Sequence, residues 1–392
     1  MNILFLTSSA PQIADDATSP FILTMAEDLQ ALGHRVTILA PHAPNIAREE
    51  IIRGVRFVRF KYAPESWQSL ADGGSAMVTL KSNPLKALLI PLFVLGQAFA
   101  LWRLLKSEPF DLIQSHWLLP QGLVGGLLAR VFKVPHLAMV HGADVFGLQH
   151  RLLLWCKKKA LACTKTLICN SSATATYVRA LAPDIPLEII PVGATPPKGA
   201  IALLTDRSGW LQPELLFVGR LFEGKGLRYL LLALPELPEA RLRVFGDGPD
   251  RSALEALTHK RGIANRVTFE GNAPHEAVLN AMRQAHLFIA PCITLKGWRE
   301  AQGNALAEAM LNGLPVIASD VGGIPDAIKH EQTGLLVPEQ NAKALHDTIR
   351  RLLADQPFAQ RLADAGRAHA LAHFNRYESA KKLSVLYEAA VT

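Results

Sequence analysis

Arg299-Glu300-Ala301-Gln302-Gly303-Asn304-Ala305-Leu306-Ala307-Glu308-Ala309-Met310, followed by Leu311-Asn312-Gly313-Leu314-Pro315-Val316-Ile317-Ala318-Ser319-Asp320-Val321-Gly322-Gly323, is the stretch from which the fold of this chain is read. Its pattern predicts a helix from near Gly303 to Gly313 and a short strand over Pro315 to Ala318. Glu300 then falls in a loop and Glu308 on the helix that follows, while Gly303, Asn304 and Ala305 supply free backbone N–H groups at the helix start. Such a start attracts phosphate. Carboxylates, which only accept hydrogen bonds, suit hydroxyl-rich ligands. Phosphate and hydroxyls together point to a sugar nucleotide.

The same alternation of helix and strand runs outward in both directions. Upstream, strands are predicted over Glu214 to Val218, Arg241 to Phe245, Val267 to Glu270 and Leu287 to Ala290; the first half repeats the plan over Ile3 to Thr7, Val36 to Ala40, Val55 to Phe60, Leu112 to Gln114, Leu137 to Val140 and Thr166 to Cys169. Helical patterns separate these runs, so the expected class is α/β with parallel sheets covered on both faces. The 392 residues suit two such domains. The Pro- and Gly-rich segment Gly193 to Pro213 is where the connection is expected, giving residues 1–195 as an N-terminal domain and 196–372 as a C-terminal domain. Residues 373–392 form a last helix expected to pack back on the first domain. Two doubly wound domains are expected to face each other across a cleft, with ligands at the carboxyl ends of strands.

Composition narrows the partners. A net charge of +7 fits an anionic ligand or surface. Four cysteines without a Cys-x-x-Cys pair argue against zinc and disulfide frameworks and for a reducing compartment. Met1 to Ser8 reads as a buried strand, not a signal peptide. Ala87 to Trp102 is an uncharged run between Lys86 and Arg103, too short for a span and interrupted by Pro91 and Gly96. It reads as a buried or interdomain helix or, with Lys81, Lys86, Arg103 and Lys106 nearby, as a helix dipping into an anionic membrane surface. Arg151 to Lys159, which sets Leu152, Leu153, Leu154 and Trp155 beside Lys157, Lys158 and Lys159, reads as an ordinary amphipathic surface helix. The expected location is the cytoplasm, with contact at the inner face of the cytoplasmic membrane; no nucleic-acid partner is expected.

Chemistry-bearing residues cluster at strand ends. Gly219-Arg220-Leu221 and Glu223-Gly224-Lys225-Gly226 follow one strand, and Arg220 and Lys225 are able to neutralise a diphosphate. Phe245-Gly246-Asp247-Gly248-Pro249 is a second glycine turn. No Gly-x-Gly-x-x-Gly follows the first strand, against a standard dinucleotide oxidoreductase. In the first half, Ser115-His116-Trp117 and His141-Gly142-Ala143-Asp144 each follow a strand and could face the cleft; Asn170-Ser171-Ser172 reads as a helix N-cap.

The set Gly219-Arg220-Leu221, Lys225-Gly226, Gly246-Asp247-Gly248-Pro249, Glu300-x7-Glu308-Ala309-Met310, Gly313-Leu314-Pro315-Val316-Ile317 and Gly322-Gly323 resembles the retaining glycosyltransferases of family GT4, which have the GT-B fold. The similarity is dense from about Leu215 to Pro338 and looser from Met1 to Gly193. The resemblance implies that Glu308 holds the ribose hydroxyls, that Glu300 contacts the donor sugar and that the backbone of Gly303, Asn304 and Ala305 caps the diphosphate. It implies that Gly219, Arg220 and Lys225 serve the departing diphosphate, with Asn272 near the base. His141 would contact the donor sugar or organise the reacting centre, with His116, Trp117 and Asp144 towards the acceptor. Relatives often carry Gly-Gly in the first loop; here Thr7 to Pro20 has Asp15 and Asp16 but no glycine, and Ser8, Ser9 or Thr18 would have to substitute.

The chain has no Asp-x-Asp, the motif with which metal-dependent sugar transferases commonly hold an ion. The expectation is therefore metal-independent transfer, with no cofactor, from a UDP- or GDP-sugar to an acceptor hydroxyl. Arg220, Lys225 and the helix start would supply the positive charge, and the resemblance implies retention. A lipid-linked or cell-surface glycan, as in lipopolysaccharide synthesis, is the expected acceptor, and Lys61 to Asn83 its mobile loop. The alternatives are an epimerase or phosphorylase on the same fold, and a non-catalytic, membrane-docked glycan- or nucleotide-binding protein.

Overall fold

The structure, a computed structural model, describes residues 1–13, 19–70, 79, 83–199, 201 and 211–392. Asp15, Asp16 and Thr18 of the first loop, Gly73 to Ser75 of the expected acceptor loop, Lys81 and Gly209 lie outside the described residues. By its packing the chain divides into two units: Met1–Asn170 with Thr174–Val192 and Ser379–Thr392, and Ser171–Ala173 with Gly193–Glu378.

The first unit holds an eight-stranded sheet. Its strands are β1 (Asn2–Leu6), β2 (Arg35–Pro41), β3 (Glu49–Ile52), β4 (Val55–Phe60), β5 (Leu112–His116), β6 (His136–Val140), β7 (Thr166–Cys169) and β8 (Leu187–Ile189), in the order β3-β4-β2-β1-β5-β6-β7-β8. Every pairing is parallel except β3 with β4. Successive residues Ile3, Leu4, Phe5 and Leu6 are all inaccessible, as expected of a central strand covered on both faces. Helix α1 (Pro20–Ala31) lies against one face; α2 (Ile90–Ser107) and α3 (Leu123–Phe132) cover the other, and α4 (Arg151–Ala162) packs beside α3. Helix α5 (Ser172–Leu181) follows β7. The strand order reverses between β1 and β5, so their carboxyl ends flank a topological switch point.

Helix α2 corrects two expectations. Pro91 sits in its first turn, where a missing N–H removes no helical hydrogen bond. Gly96 permits contact with the chain after β4, since a Cβ there would lie 2.7 Å from the Lys61 carbonyl oxygen. Neither residue interrupts the helix. Nor is the helix buried as a whole: Phe93, Gln97, Leu101 and Leu104 face the core, while Leu95 and Phe99 are exposed.

The second unit holds a six-stranded, wholly parallel sheet in the order β11-β10-β9-β12-β13-β14. Its strands are β9 (Glu214–Val218), β10 (Arg241–Phe245), β11 (Val267–Gly271), β12 (Leu287–Ala290), β13 (Val316–Ser319) and β14 (Leu335–Val337). Helices α6 (Leu227–Ala233), α7 (Arg251–Lys260) and α10 (Ala342–Ala354) pack on one face and α8 (His275–Gln284) and α9 (Asn304–Leu311) on the other, while α11 (Gln356–His373) joins both clusters, Ala359 and Leu362 the first and Ala370 the second. The switch point here lies between β9 and β12. Strands β3, β8 and β14 are additions to the sequence reading; two have only three residues and β3 is an antiparallel edge strand.

The last helix, α12 (Arg376–Val391), carries Leu383, Tyr387 and Ala390 into the apolar core of the first unit beside Leu137, Met139 and Ile168. Tyr387 is wholly buried.

Candidate functional site

In the second unit the loops after β9 and β12 meet over the switch point. Lys225, in the loop after β9, places its Nζ 2.5 Å from Glu300 Oε2, in the loop after β12. The two side chains are only 24% and 13% exposed, so this ion pair is poorly screened and stronger than a surface bridge. Burial alone would raise the Glu300 carboxyl. The charge and hydrogen bond of Lys225, the Cys292 thiol and the Gly303 backbone outweigh it and hold Glu300 below the usual carboxylate range. Burial likewise opposes the Lys225 ammonium, and Glu300 reverses that and raises it. Cys292 Sγ lies 3.6 Å from Glu300 Oε2 and is a thiol, not a thiolate, its pKa pushed up to about 12 chiefly by burial.

The Glu300 loop is clamped from behind. Gly323 N donates to the Glu300 carbonyl at 3.0 Å, and a Cβ on Gly322 would lie 1.9 Å from that same oxygen. Only glycine fits there, which gives the Gly322-Gly323 pair a physical reason. Downstream, Gly303 caps α9, and Gln302 Nε2 donates to Asn304 Oδ1 at 3.0 Å. The N–H groups of Asn304 and Ala305 precede the first one that donates within the helix, Leu306 N to the Gly303 carbonyl, and are available to an anion. Lys225, Cys292, Glu300, Gly303 and Ala305 line one pocket.

Glu308 lies further along α9, its side chain 21% exposed; burial raises its carboxyl, and His275, whose Nε2 is 3.9 Å away, opposes this. Asn272 is exposed in the turn just before α8, three residues from His275. Gly219 closes β9 by donating to the Phe245 carbonyl at 3.0 Å. Arg220 is exposed and does not line the pocket. Three neighbours went unnoticed in the sequence: Cys292; His275; and Trp298, whose ring lies edge-on to Phe222 at 4.8 Å and 6.0 Å from Lys225 Nζ. A tryptophan one residue from Arg299 was the only available signal. Among the described residues no three His, Cys, Asp or Glu side chains are grouped as metal ligands.

In the first unit a chain of hydrogen bonds runs from α12 to the end of β6. Tyr387 Oη donates to Gln114 Oε1. Gln114 Nε2 faces His116 Nε2 at 3.1 Å and Met25 Sδ at 3.7 Å. Because a thioether only accepts, the amide nitrogen belongs on that side, and His116 Nε2 is an acceptor. His116 therefore carries its proton on Nδ1 and donates to His141 Nε2, 3.1 Å away. His141 is left with an Nδ1–H donor. Burial keeps both rings neutral: His141 falls to about 3 and His116 well below its ordinary value, the latter with a smaller contribution from His141.

His116 is wholly buried, so it reaches a ligand only through His141. The Trp117 ring lies 5.0 Å from His141 and is half-buried. Asp144 is buried and ties the loops after β5 and β6 together: Oδ1 accepts from the N–H groups of His141 and Gly142, each at 3.1 Å, and Oδ2 from Leu118 N at 3.0 Å. Its carboxylate is fully engaged by backbone, so Asp144 shapes the His141 loop and does not present a free oxygen to an acceptor. Asn170 Oδ1 accepts from the Thr174 hydroxyl at 3.1 Å at the start of α5.

The family described as "Glycosyl transferases group 1" matches residues 211–369, and the "Glycosyl transferase 4-like domain" matches residues 17–193. A 2-deoxystreptamine glucosyltransferase of Streptomyces kanamyceticus is 28% identical over 94% of this chain and 97% of its own length. A GDP-mannose-dependent alpha-(1-6)-phosphatidylinositol monomannoside mannosyltransferase of Mycobacterium tuberculosis is 30% identical over 55% of this chain, and the match spans 59% of that protein. The sucrose-phosphate synthase structure from Thermosynechococcus elongatus superposes with a TM-score of 0.82 at 25% identity, covering 99% of each chain. Two matched domains that span most of the chain, full-length relatives and the paired parallel sheets agree: the protein is a glycosyltransferase, a member of the group 1 (GT4) family with the GT-B fold.

Proposed function

We propose that this glycosyltransferase moves a sugar from a UDP- or GDP-sugar to an acceptor hydroxyl, with retention and without a metal ion. The observation that carries this reading is the Lys225–Glu300 pair, which bridges the β9/β12 switch point beside the start of α9, with Glu308 on the same helix. Lys225 offers a full positive charge to the diphosphate, and the N–H groups of Asn304 and Ala305 offer partial ones. Glu300 accepts hydroxyls of the sugar and Glu308 those of the ribose. Lys225 then exchanges Glu300 for a phosphate oxygen as the donor enters, freeing the carboxylate for the sugar. Arg220, exposed in the same loop, adds charge once the phosphate is in place.

In the reaction the bond from the sugar's anomeric carbon to the diphosphate oxygen breaks, and the acceptor oxygen forms its bond on the same face. The acceptor proton passes to the departing phosphate. Negative charge grows on the diphosphate along this path, so Lys225 acts on turnover more than on ground-state binding. The neutral Nδ1–H of His141 donates to a sugar hydroxyl. For the acceptor we favour a lipid-linked or cell-surface glycan, a reading supported by the phosphatidylinositol-based acceptor named for the mannosyl-transferring relative. The test is a transfer assay with UDP- and GDP-sugars, with and without chelator, in which the anomeric configuration of the product is read by NMR. Chelator-resistant release of the nucleoside diphosphate and a retained configuration are expected. Loss of activity in chelator, restored by a divalent ion, overturns the metal-free reading, and an inverted product overturns retention.

A further inference from the structure

Three helices of the first unit lie side by side, α2 on α3 and α3 on α4. Their outward sides are apolar where a soluble surface is normally charged. On α2, Leu95 and Phe99 are 66% and 62% exposed; on α3, Leu127 and Val131 are 50% and 70% exposed; on α4, Leu152 and Trp155 are 60% and 56% exposed. Within each helix these positions are three or four residues apart, so each pair shares one face. Neighbouring exposed apolar side chains on adjacent helices make a patch, which is informative in a way that scattered surface leucines are not.

The charges on the same helices have one sign. No Asp or Glu occurs in residues 84–107, 123–132 or 151–162, whereas Arg103, Lys106, Arg130, Lys158 and Lys159 are all exposed there. Of the other long helices of this unit, α1 carries Glu27 and Asp28 and α12 carries Glu388, whereas α5 has no acidic residue and only Arg179 as a charge. Two of the basic groups sit over aromatic rings of the patch, with Lys106 Nζ 4.5 Å from the Trp102 centroid and Lys159 Nζ 5.5 Å from that of Trp155. Aromatic bodies capped by long cationic stems match the boundary between acyl chains and headgroups.

Residues Pro84–Ser107 have the length and hydropathy of a membrane span. The fold forbids spanning, because Phe93, Leu101 and Leu104 are packed in the core beside Phe60 and Ile113. The helix is the crossover between β4 and β5, so it offers its side, not its ends.

We propose that the outer face of α2, α3 and α4 docks on an anionic lipid bilayer. Leu95, Phe99, Leu127, Val131, Leu152 and Trp155 enter the interface, and the surrounding Lys and Arg side chains hold lipid phosphates. The occupant is a bilayer and not a protein because the charge is of one sign across all three helices and cationic stems lie over the Trp102 and Trp155 rings. Interfacial helices bind by apolar area plus attraction to anionic lipid. The proposal adds a partner to the transfer reading, and lipid binding can fail while donor binding holds.

Flotation of the full chain with phosphatidylcholine vesicles, with and without phosphatidylglycerol, tests it. The chain should float with the anionic vesicles and less with the neutral ones, and added salt should release it. Lys106→Ala and Lys159→Ala should each weaken partitioning by about fivefold, the usual weight of one basic residue at an anionic surface. Phe99→Glu with Trp155→Glu should abolish flotation while leaving the melting curve and nucleotide binding unchanged. Val385→Glu, at an exposed position of α12, should float as the wild type does. Failure to float with anionic vesicles, equal binding to both compositions, or wild-type flotation of the Phe99→Glu/Trp155→Glu variant overturns the proposal.

Discussion

Around Lys225 the second unit holds full charges at close range, 24% and 13% exposed, whereas the His141 ring of the first unit belongs to a line of neutral side chains that ends on the buried Tyr387 hydroxyl, the nearby Asp144 carboxylate being taken up by backbone N–H groups. The first arrangement has charge ready for a charged ligand and keeps that charge ionised by pairing it. The second has no charge to spare: burial holds both histidines uncharged, and the hydrogen bonds behind them decide which nitrogen carries the proton. A leaving diphosphate gathers negative charge, which a full cation offsets most strongly. A group that orients a sugar hydroxyl needs only a donor fixed in direction.

Substitutions that exchange these characters should break the contrast most visibly. Lys225→Ala removes the cation and leaves Glu300 buried with fewer partners. Steady-state assays should show kcat down by about 10²–10³, comparable to loss of a preorganised transition-state donor, with a smaller change in KM. Lys225→Arg, which keeps the charge but not the geometry, should recover part of the loss. An equal fall of Lys225→Ala and His141→Ala in kcat, with the same pH dependence, would erase the distinction.

Acid should act on the first unit through its histidines. His136, like His116 and His141, has a lowered folded pKa, falling to about 4 by burial against a smaller opposing effect of the Cys163 carbonyl. The unfolded chain takes up protons from about pH 6.5 downward while the native ring does not. The stability these groups contribute is therefore complete above pH 6.5 and lost as pH falls towards 4. Each fully buried ring should contribute about 1.4 kcal/mol of loss per pH unit. Thermal melts between pH 7 and pH 4.5 should show a falling first-unit transition, and His136→Gln should flatten its slope.

Tyr387→Phe probes the neutral chain from its far end. It leaves Gln114 Oε1 without its Tyr387 donor, at a cost of about 1–3 kcal/mol. Nitrogen-15 NMR of the histidine rings should show His141 protonated on Nδ1 in the wild type and a mixture of tautomers in the variant. A single unchanged tautomer in Tyr387→Phe would cut Tyr387 out of the chain. The smallest effect belongs to Cys292→Ala: a long S–H contact to Glu300 is worth little, so kcat/KM should fall a few-fold, and Cys292→Ser should restore it.

The contrast also governs what could be read in advance. Strands buried on both faces, such as Ile3 to Leu6, announce themselves as apolar runs, and the alternation with helices then implies parallel sheets. Three-residue strands such as Leu187–Ile189 and Leu335–Val337 are too short to show any period. In the second unit, Glu300, Glu308, Gly219 and Lys225 were legible because charged and glycine residues stand out beside apolar strands. Their pairing was not, since Lys225 and Glu300 are 75 residues apart. Tyr387 was not legible at all as part of a site. It sits on a helix of ordinary composition, 273 residues from Gln114, and only the fold brings the two together.

Calorimetric titration of UDP and GDP in the presence of chelator tests most directly whether the donor nucleotide sits in the second unit. One of the two nucleotides should bind the wild type, and Glu308→Ala should weaken it by about tenfold or more, the worth of a hydrogen bond to a charged acceptor. Binding of neither nucleotide, or wild-type affinity in Glu308→Ala, would contradict the assignment.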